Sequence, residues 1–126
     1  MIYYQSGSEN TVISPNDLEY GVFSSLVKLG PRKKVLAVPP DFTRFHSRSG
    51  DITTLIYNYY KENLKDVLPA LGTHAPMTDS QLDEMFKGVP KELFRIHDWR
   101  KDVVTVGTVP GEYISEITGG ALDYSW

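Results

Sequence analysis

Residues 35–44 constrain the fold of this chain more than any other stretch, because they join a short apolar run to a polar cluster through two prolines. Four consecutive apolar residues lie between two lysines and Pro39, which is typical of a strand covered on both faces in a parallel sheet. The polar side chains that follow are Asp41, Thr43 and Arg44. Because ligands of open α/β sheets gather outside the carboxyl ends of strands, we expect a polar site here.

Two interpretations of this polar cluster fit the residues. In the first, Asp41 supplies a hydrogen-bond acceptor or a base, and Arg44 supplies a planar set of donors suited to a phosphate or a carboxylate. In the second, Asp41 caps a helical turn and Arg44 is a surface residue. These residues alone leave both interpretations open.

The size and composition of the chain limit its class. Its 126 residues and 40% hydrophobic content predict a single domain with a hydrophobic core. No apolar stretch approaches the roughly 18 residues of a membrane span, and no signal peptide is recognisable, so a cytoplasmic location is expected. The absence of cysteine excludes disulfides and thiolate metal sites. A net charge of -3 with mixed signs argues against a nucleic-acid partner.

Three helices are predicted from their caps and from the spacing of apolar residues. The first begins after the N-cap Ser14 and ends at Gly30, and the second begins near Asp51. The third follows Thr78, which forms a T-x-x-Q capping box with Gln81. Their predicted buried faces contain Leu18, Val22, Leu26 and Leu29; Ile52, Leu55, Ile56, Tyr59, Tyr60 and Leu64; and Leu82, Met85, Phe86 and Val89.

Strand patterns alternate with these helices. Besides the strand at residues 35–38, strands are predicted at residues 1–5, 67–72 and 103–107, although a proline interrupts the second of these three. Residues 112–126 predict a hairpin that stops without a cap. The alternation is typical of an α/β layered fold with a largely parallel sheet flanked by helices, here incomplete at the C-terminal end.

The histidines are the candidates for acid–base chemistry. His74 follows the predicted strand at residues 67–72, so neighbouring parallel strands would bring it beside Asp41. Imidazole can serve as a general base near neutral pH. His46 is expected in a solvated loop, and His97 is expected to have a packing or hydrogen-bonding role. His74 is therefore the catalytic candidate.

The common nucleotide and hydrolase motifs are missing from the chain. It contains no G-x-G-x-x-G, Walker, H-E-x-x-H or G-x-S-x-G pattern. A metal hydrolase that uses Asp41, His46 and His74 is a weak alternative, since their spacing has no metal-site signature, and no metal ligand is predicted. The residues alone thus indicate an anion-binding α/β site with a candidate base.

Three short motifs together resemble the N-terminal domain of the nickel-dependent lactate racemase family. They are D-F-T-R at residues 41–44, G-T-H-A-P-M-T at residues 72–78 and H-D at residues 97–98, in the family's order and with similar spacing. The resemblance implies an isomerase that inverts the α-carbon of a lactate-like 2-hydroxy acid. Its cofactor would be the nickel pincer nucleotide, a nickel pyridinium-3,5-bisthiocarboxylic acid mononucleotide, which takes part in hydride transfer.

The resemblance also implies roles for individual residues. Asp41, Phe42, Thr43 and Arg44 would contact the cofactor, and His74 would be one of two general acid/base residues. Arg44 could instead pair with the substrate carboxylate. Relatives often have Pro after T-R and a basic residue after G-T-H, where this chain has Phe45 and Ala75, so the resemblance leaves the substrate open.

In the family, the remaining parts of the site lie in sequence that would follow Trp126. They are the second catalytic histidine, a Gly-rich segment with the cofactor-attached lysine, and a nickel-binding histidine. We therefore expect residues 1–126 to be most of the N-terminal domain of a longer two-domain enzyme, inactive without the rest. The expected partners are the 2-hydroxy acid and the C-terminal domain, not nucleic acid or membrane, and an unpaired strand edge could associate with a second copy. The alternative is a non-catalytic module that binds a nucleotide or a small anion.

Overall fold

The computed structural model describes all 126 residues and has the predicted α/β character, with helices around a small parallel sheet. None of its helices combines the length and the hydropathy that crossing a bilayer requires. Short 3-10 turns lie at Phe42–Ser47, Lys61–Asn63 and Lys91–Leu93. The helices and strands, in chain order, are α1 (Pro15–Leu29), β1 (Val35–Ala37), α2 (Ser49–Tyr60), β2 (Leu64–Val67), α3 (Asp79–Met85) and α4 (Gly111–Ile117).

The three helices predicted from local signals are present, although Leu64 belongs to β2 and Phe86 and Val89 lie after the last residue of α3. Ser14 and Asp17 form a capping box at the start of α1, and Gly30 ends that helix with a φ of 80°. The Thr78–Gln81 capping box begins α3 as predicted. The second helix, α2, begins at Ser49, slightly before the predicted start.

The two strands pair in parallel, and their pairing continues past the end of β2. The amide of Leu68 donates to the Ala37 carbonyl at 2.8 Å, and the amide of Ala70 donates to the Pro39 carbonyl at 2.7 Å. This extended ladder carries the chain to the polar residues after Pro40, which forms an isolated bridge with Ala70.

The second strand was predicted too late in the chain. It occupies Leu64–Val67, whose two ends are buried while Lys65 is exposed, so no continuous apolar run marks it. The prediction of a strand at residues 67–72 was wrong in its bounds, since Leu68 and Ala70 still donate to Ala37 and Pro39 but the ladder does not continue past Ala70. The chain turns there, and the amide of Leu71 bonds the Pro69 carbonyl at 2.8 Å.

The first strand, β1, is covered on one face only. Ala37 is 8% exposed and belongs to the core, whereas Leu36 and Val38 are 55% and 57% exposed. The prediction of a strand covered on both faces was therefore wrong. Successive side chains of a strand point to opposite faces, and here helices cover one of them.

The core lies where α2, β2 and the end of α3 meet. At this point α2 and α3 approach closely, because a methyl group placed on Gly50 would lie 2.0 Å from the Met85 carbonyl oxygen. Only glycine allows that contact without a shift of one helix. The buried apolar cluster comprises Ala37, Tyr60, Leu64, Val67, Met85, Phe86 and Val89.

The strands predicted at residues 1–5 and 103–107 are absent. The first stretch lies against α1, where the Tyr4 ring is close enough to Gly21 to meet an added methyl group at 2.7 Å. The second stretch forms no ladder with another strand, and Val106 is 98% exposed. Both have strand composition, but neither has a neighbouring strand to pair with.

The predicted C-terminal hairpin is also absent, because residues Gly111–Ile117 form α4. The alternating apolar residues that suggested a strand, Tyr113 and Ile117 among them, also fall four apart, which is a helical spacing. After the helix the chain returns, and Val109 and Trp126 exchange two backbone hydrogen bonds of 2.6 and 3.0 Å.

Candidate functional site

Asp41 begins the candidate site, at the point where the ladder of β1 ends. It is the N-cap of the Phe42–Ser47 turn, and its Oδ1 accepts hydrogen bonds from the Thr43 amide at 3.1 Å and the Thr43 hydroxyl at 2.5 Å. The capping interpretation of this residue is therefore correct. These bonds also orient the carboxylate, so that its second oxygen faces the neighbouring strand end.

His74 occupies that neighbouring position. Gly72 adopts a φ of 57°, which favours glycine, and the His74 amide then bonds the Leu71 carbonyl at 2.9 Å. The turn directs the His74 side chain to Asp41, with Nδ1 and Oδ2 2.5 Å apart. The expected juxtaposition of the two strand ends is thus present, and it includes a direct hydrogen bond.

The two members of this pair differ in exposure. Asp41 is only 5% exposed, whereas the His74 side chain is 53% exposed. Burial raises the pKa of Asp41, but hydrogen bonds from the Thr43 hydroxyl, from His74 and from the Thr43 amide together lower the pKa below its ordinary value of 3.8. Asp41 is therefore ionised at neutral pH and lies beneath an accessible imidazole.

Arg44 places an unpaired positive charge next to this pair. Its Nη1 donates to the Thr43 hydroxyl oxygen at 3.2 Å, and the guanidinium forms no ion pair. Arg44 and Thr43 are both exposed. The remaining donors of the guanidinium are free to bind an anion, because a planar guanidinium matches two oxygens of a phosphate or a carboxylate.

Three further candidate residues, Phe42, His46 and His97, make no side-chain hydrogen bond to this cluster. The half-buried ring of Phe42 packs on the core and on Phe45, with ring centroids 5.3 Å apart. His46 contacts Phe45 edge to face and lines a separate cleft of about 330 Å³ that also contains Glu84. His97 is half-buried and makes no side-chain hydrogen bond. No three His, Cys, Asp or Glu side chains are grouped to hold a metal ion.

A larger apolar groove of about 540 Å³ lies away from the polar cluster. It runs between α1, α2 and the N-terminal residues, and Tyr4, Leu18 and Ile52 are among its lining residues. Sequence patterns did not predict a ligand site in this groove, since its apolar residues are those of the helix faces.

No protein-family model and no curated protein matches the chain. The structure is similar to the crystal structure of a protein from Thermotoga maritima, with a TM-score of 0.68 and 26% sequence identity. The similarity covers 89% of this chain but 28% of the Thermotoga protein. The chain thus spans less than a third of that protein's length, and the similarity supports the layered α/β fold.

Proposed function

We propose that this chain is the N-terminal part of a cytoplasmic racemase or epimerase that inverts the α-carbon of a lactate-like 2-hydroxy acid with a nickel pincer nucleotide. The observation that supports the proposal most is the hydrogen bond between Asp41 and His74. It joins two of the motifs that resemble the lactate racemase family, which are 33 residues apart in the chain. A base and an anion-binding arginine then lie on one accessible edge.

His74 would be the proton-transfer group. Its side chain is half exposed, so a substrate hydroxyl can approach the ring nitrogen that Asp41 does not bind. An imidazole in this position can remove the hydroxyl proton of a 2-hydroxy acid and return it after inversion. Inversion in both directions needs a second base on the opposite side of the substrate, which the proposed C-terminal domain of a longer chain would supply.

Arg44 and Thr43 would hold the anionic group. Both are exposed, and the free donors of Arg44 fit either the phosphate of the mononucleotide or the carboxylate of the substrate. This donor set is compatible with the proposed cofactor. When bound, the nickel pincer nucleotide supplies a hydride acceptor for the α-carbon. Its metal ligands would come from the longer chain.

The test uses the longer protein, loaded with cofactor, in a racemisation assay. We expect His74→Ala to lower kcat roughly 100-fold or more, because proton transfer by a positioned side chain contributes about that factor. His46→Ala is the matched control and should stay near the unmodified rate, since His46 lines a different cleft. Equal activity of the His74→Ala and unmodified enzymes would contradict the proposal.

A second candidate function, a non-catalytic module for a nucleotide or small anion, is favoured by the unpaired charge of Arg44. The reading frame after Trp126 separates the two functions. A stop codon there supports the binding module, whereas a following histidine and a Gly-rich segment with lysine support the racemase. Calorimetric binding of a pyridine mononucleotide without racemisation by the longer protein would also favour the module.

A further inference from the structure

We propose that Asp41 is a positioning residue that holds the His74 imidazole through Nδ1 and leaves Nε2 as its proton-exchanging atom. The inference takes the substrate, a 2-hydroxy acid, from the proposed function and nothing else. It differs from the expectation that Asp41 contacts a cofactor. Its basis is the hydrogen bonding and burial of one carboxylate.

Both carboxylate oxygens of Asp41 have hydrogen-bond partners within the protein. Oδ2 faces His74 at 2.5 Å, while Oδ1 accepts from both the amide and the hydroxyl of Thr43. With 5% of its surface exposed, Asp41 has almost no area to offer a ligand. A residue that is enclosed in this way acts on a bound molecule through its neighbours.

The charge of Asp41 determines which ring nitrogen of His74 carries the proton. An ionised carboxylate is only an acceptor, and the hydrogen bonds that Asp41 receives lower its pKa beyond the opposing effect of burial. The short contact therefore requires a proton on Nδ1 of His74. In a neutral imidazole the other nitrogen, Nε2, is then an acceptor that can take a proton from a substrate.

The same carboxylate links the base to the anion-binding side chain. The Thr43 hydroxyl donates to Asp41 and accepts from Arg44, so four residues from Arg44 to His74 form one hydrogen-bonded chain. In a 2-hydroxy acid the hydroxyl and the carboxylate are on adjacent carbons. A base and a guanidinium held at a fixed separation suit that class of substrate.

The direct test is the tautomer of His74, measured by long-range ¹H–¹⁵N NMR on the 126-residue chain at neutral pH. We expect the neutral form of the His74 imidazole to carry its proton on Nδ1. Asp41→Asn, whose amide can donate to the ring, should reduce the Nδ1–H population. Asp51→Asn is the matched control, because Asp51 is exposed and pairs with Arg48, so it should leave the His74 signals unchanged.

Several outcomes would overturn the inference. They are an Nε2–H tautomer of His74 in the unmodified chain, an unchanged tautomer in folded Asp41→Asn, and an equal change in Asp51→Asn. If Asp41→Asn does not fold, the tautomer of the unmodified chain still decides, because only a proton on Nδ1 fits the assigned role.

A second measurement separates this inference from the proposed function. In the longer, loaded protein, Asp41→Asn should lower kcat with little effect on KM, whereas Arg44→Lys should mainly raise KM. An Nδ1–H tautomer without racemisation would contradict the proposed function and support the positioning role. Racemisation that Asp41→Asn does not alter would contradict the positioning role alone.

Discussion

At the scale of single residues, one carboxylate serves the fold and the candidate site together. Asp41 caps the turn through one oxygen and binds His74 through the other. The sequence offered a cap and a polar site as alternatives, yet the two oxygens of Asp41 allow both. A change at this position should therefore alter stability as well as chemistry.

The stabilising effect of Asp41 should depend on pH. Its pKa in the folded chain lies below 3.8, so its hydrogen bonds stabilise the fold above that pH and are lost as the pH falls through the folded pKa. In urea unfolding, Asp41→Asn should lower the free energy of unfolding near neutral pH, and the difference should shrink as the pH falls through the folded pKa of Asp41. A difference independent of pH would contradict this prediction.

Arg44 should bind anions in a way that lysine cannot reproduce. Arg44→Lys keeps the charge but loses the planar donor pair, so we expect about tenfold weaker binding of a pyridine mononucleotide by calorimetry. Arg48→Lys is the matched control, because Arg48 already pairs with Asp51 at 2.9 Å. Equal weakening by both variants would contradict a specific anion site at Arg44.

At the scale of elements, the cap of α3 stabilises the helix that carries Met85 into the core. The Thr78 hydroxyl accepts from the Gln81 amide, and Gln81 bonds back to the Thr78 amide. Thr78→Ala should cost about 1 kcal/mol of unfolding free energy in urea titration. Thr78→Ser keeps the hydroxyl and should cost much less, so equal losses would show that the hydroxyl is not responsible.

A substitution where α2 and α3 cross should destabilise the fold more than loss of the α3 cap. A methyl group on Gly50 would meet the Met85 carbonyl oxygen, so Gly50→Ala should destabilise the fold by about 3 kcal/mol through overpacking. Gly107→Ala is the control, because nothing lies within 4 Å of an added methyl group there and its φ is not positive. Similar unfolding curves for the two variants would contradict the close approach.

Helices were more predictable than strands in this chain for a physical reason. The caps at Ser14 and Thr78 are bonds between residues three apart, so the signal and the structure are local. A strand needs a partner, and residues 103–107 have the composition of a strand without one. Tyr113 and Ile117 fit both a helical and an alternating pattern, so the pattern alone did not show that this stretch forms α4.

For the candidate site, the sequence was enough to predict that Asp41 and His74 lie close together. Parallel strands end at one edge, which was enough to bring His74 to Asp41 even though the second strand was misplaced. The direct bond was not predictable, because it depends on the turn at Gly72 and on the cap at Thr43.

At the scale of the whole molecule, protection against hydrogen exchange should be uneven. The amides of residues 103–108 have no hydrogen-bond acceptor, while Val67 is fully buried in the ladder and Phe86 bonds the Leu82 carbonyl. We expect residues 103–106 to exchange at nearly the rate of an unfolded peptide, and Val67 and Phe86 to exchange slowest. Strong protection of residues 103–106 would reveal a pairing partner, such as a second copy.

The two backbone hydrogen bonds between Val109 and Trp126 close the last part of the chain into a loop of its own. These bonds join the two ends of the segment that contains α4 and the turn after it. They therefore offset the entropic cost of closing this loop without contacts from the core. None of the residues of α4 is buried, so its order owes little to the core. This region can therefore melt as a separate cooperative unit and leave the hydrogen-bonded chain from Arg44 to His74 intact.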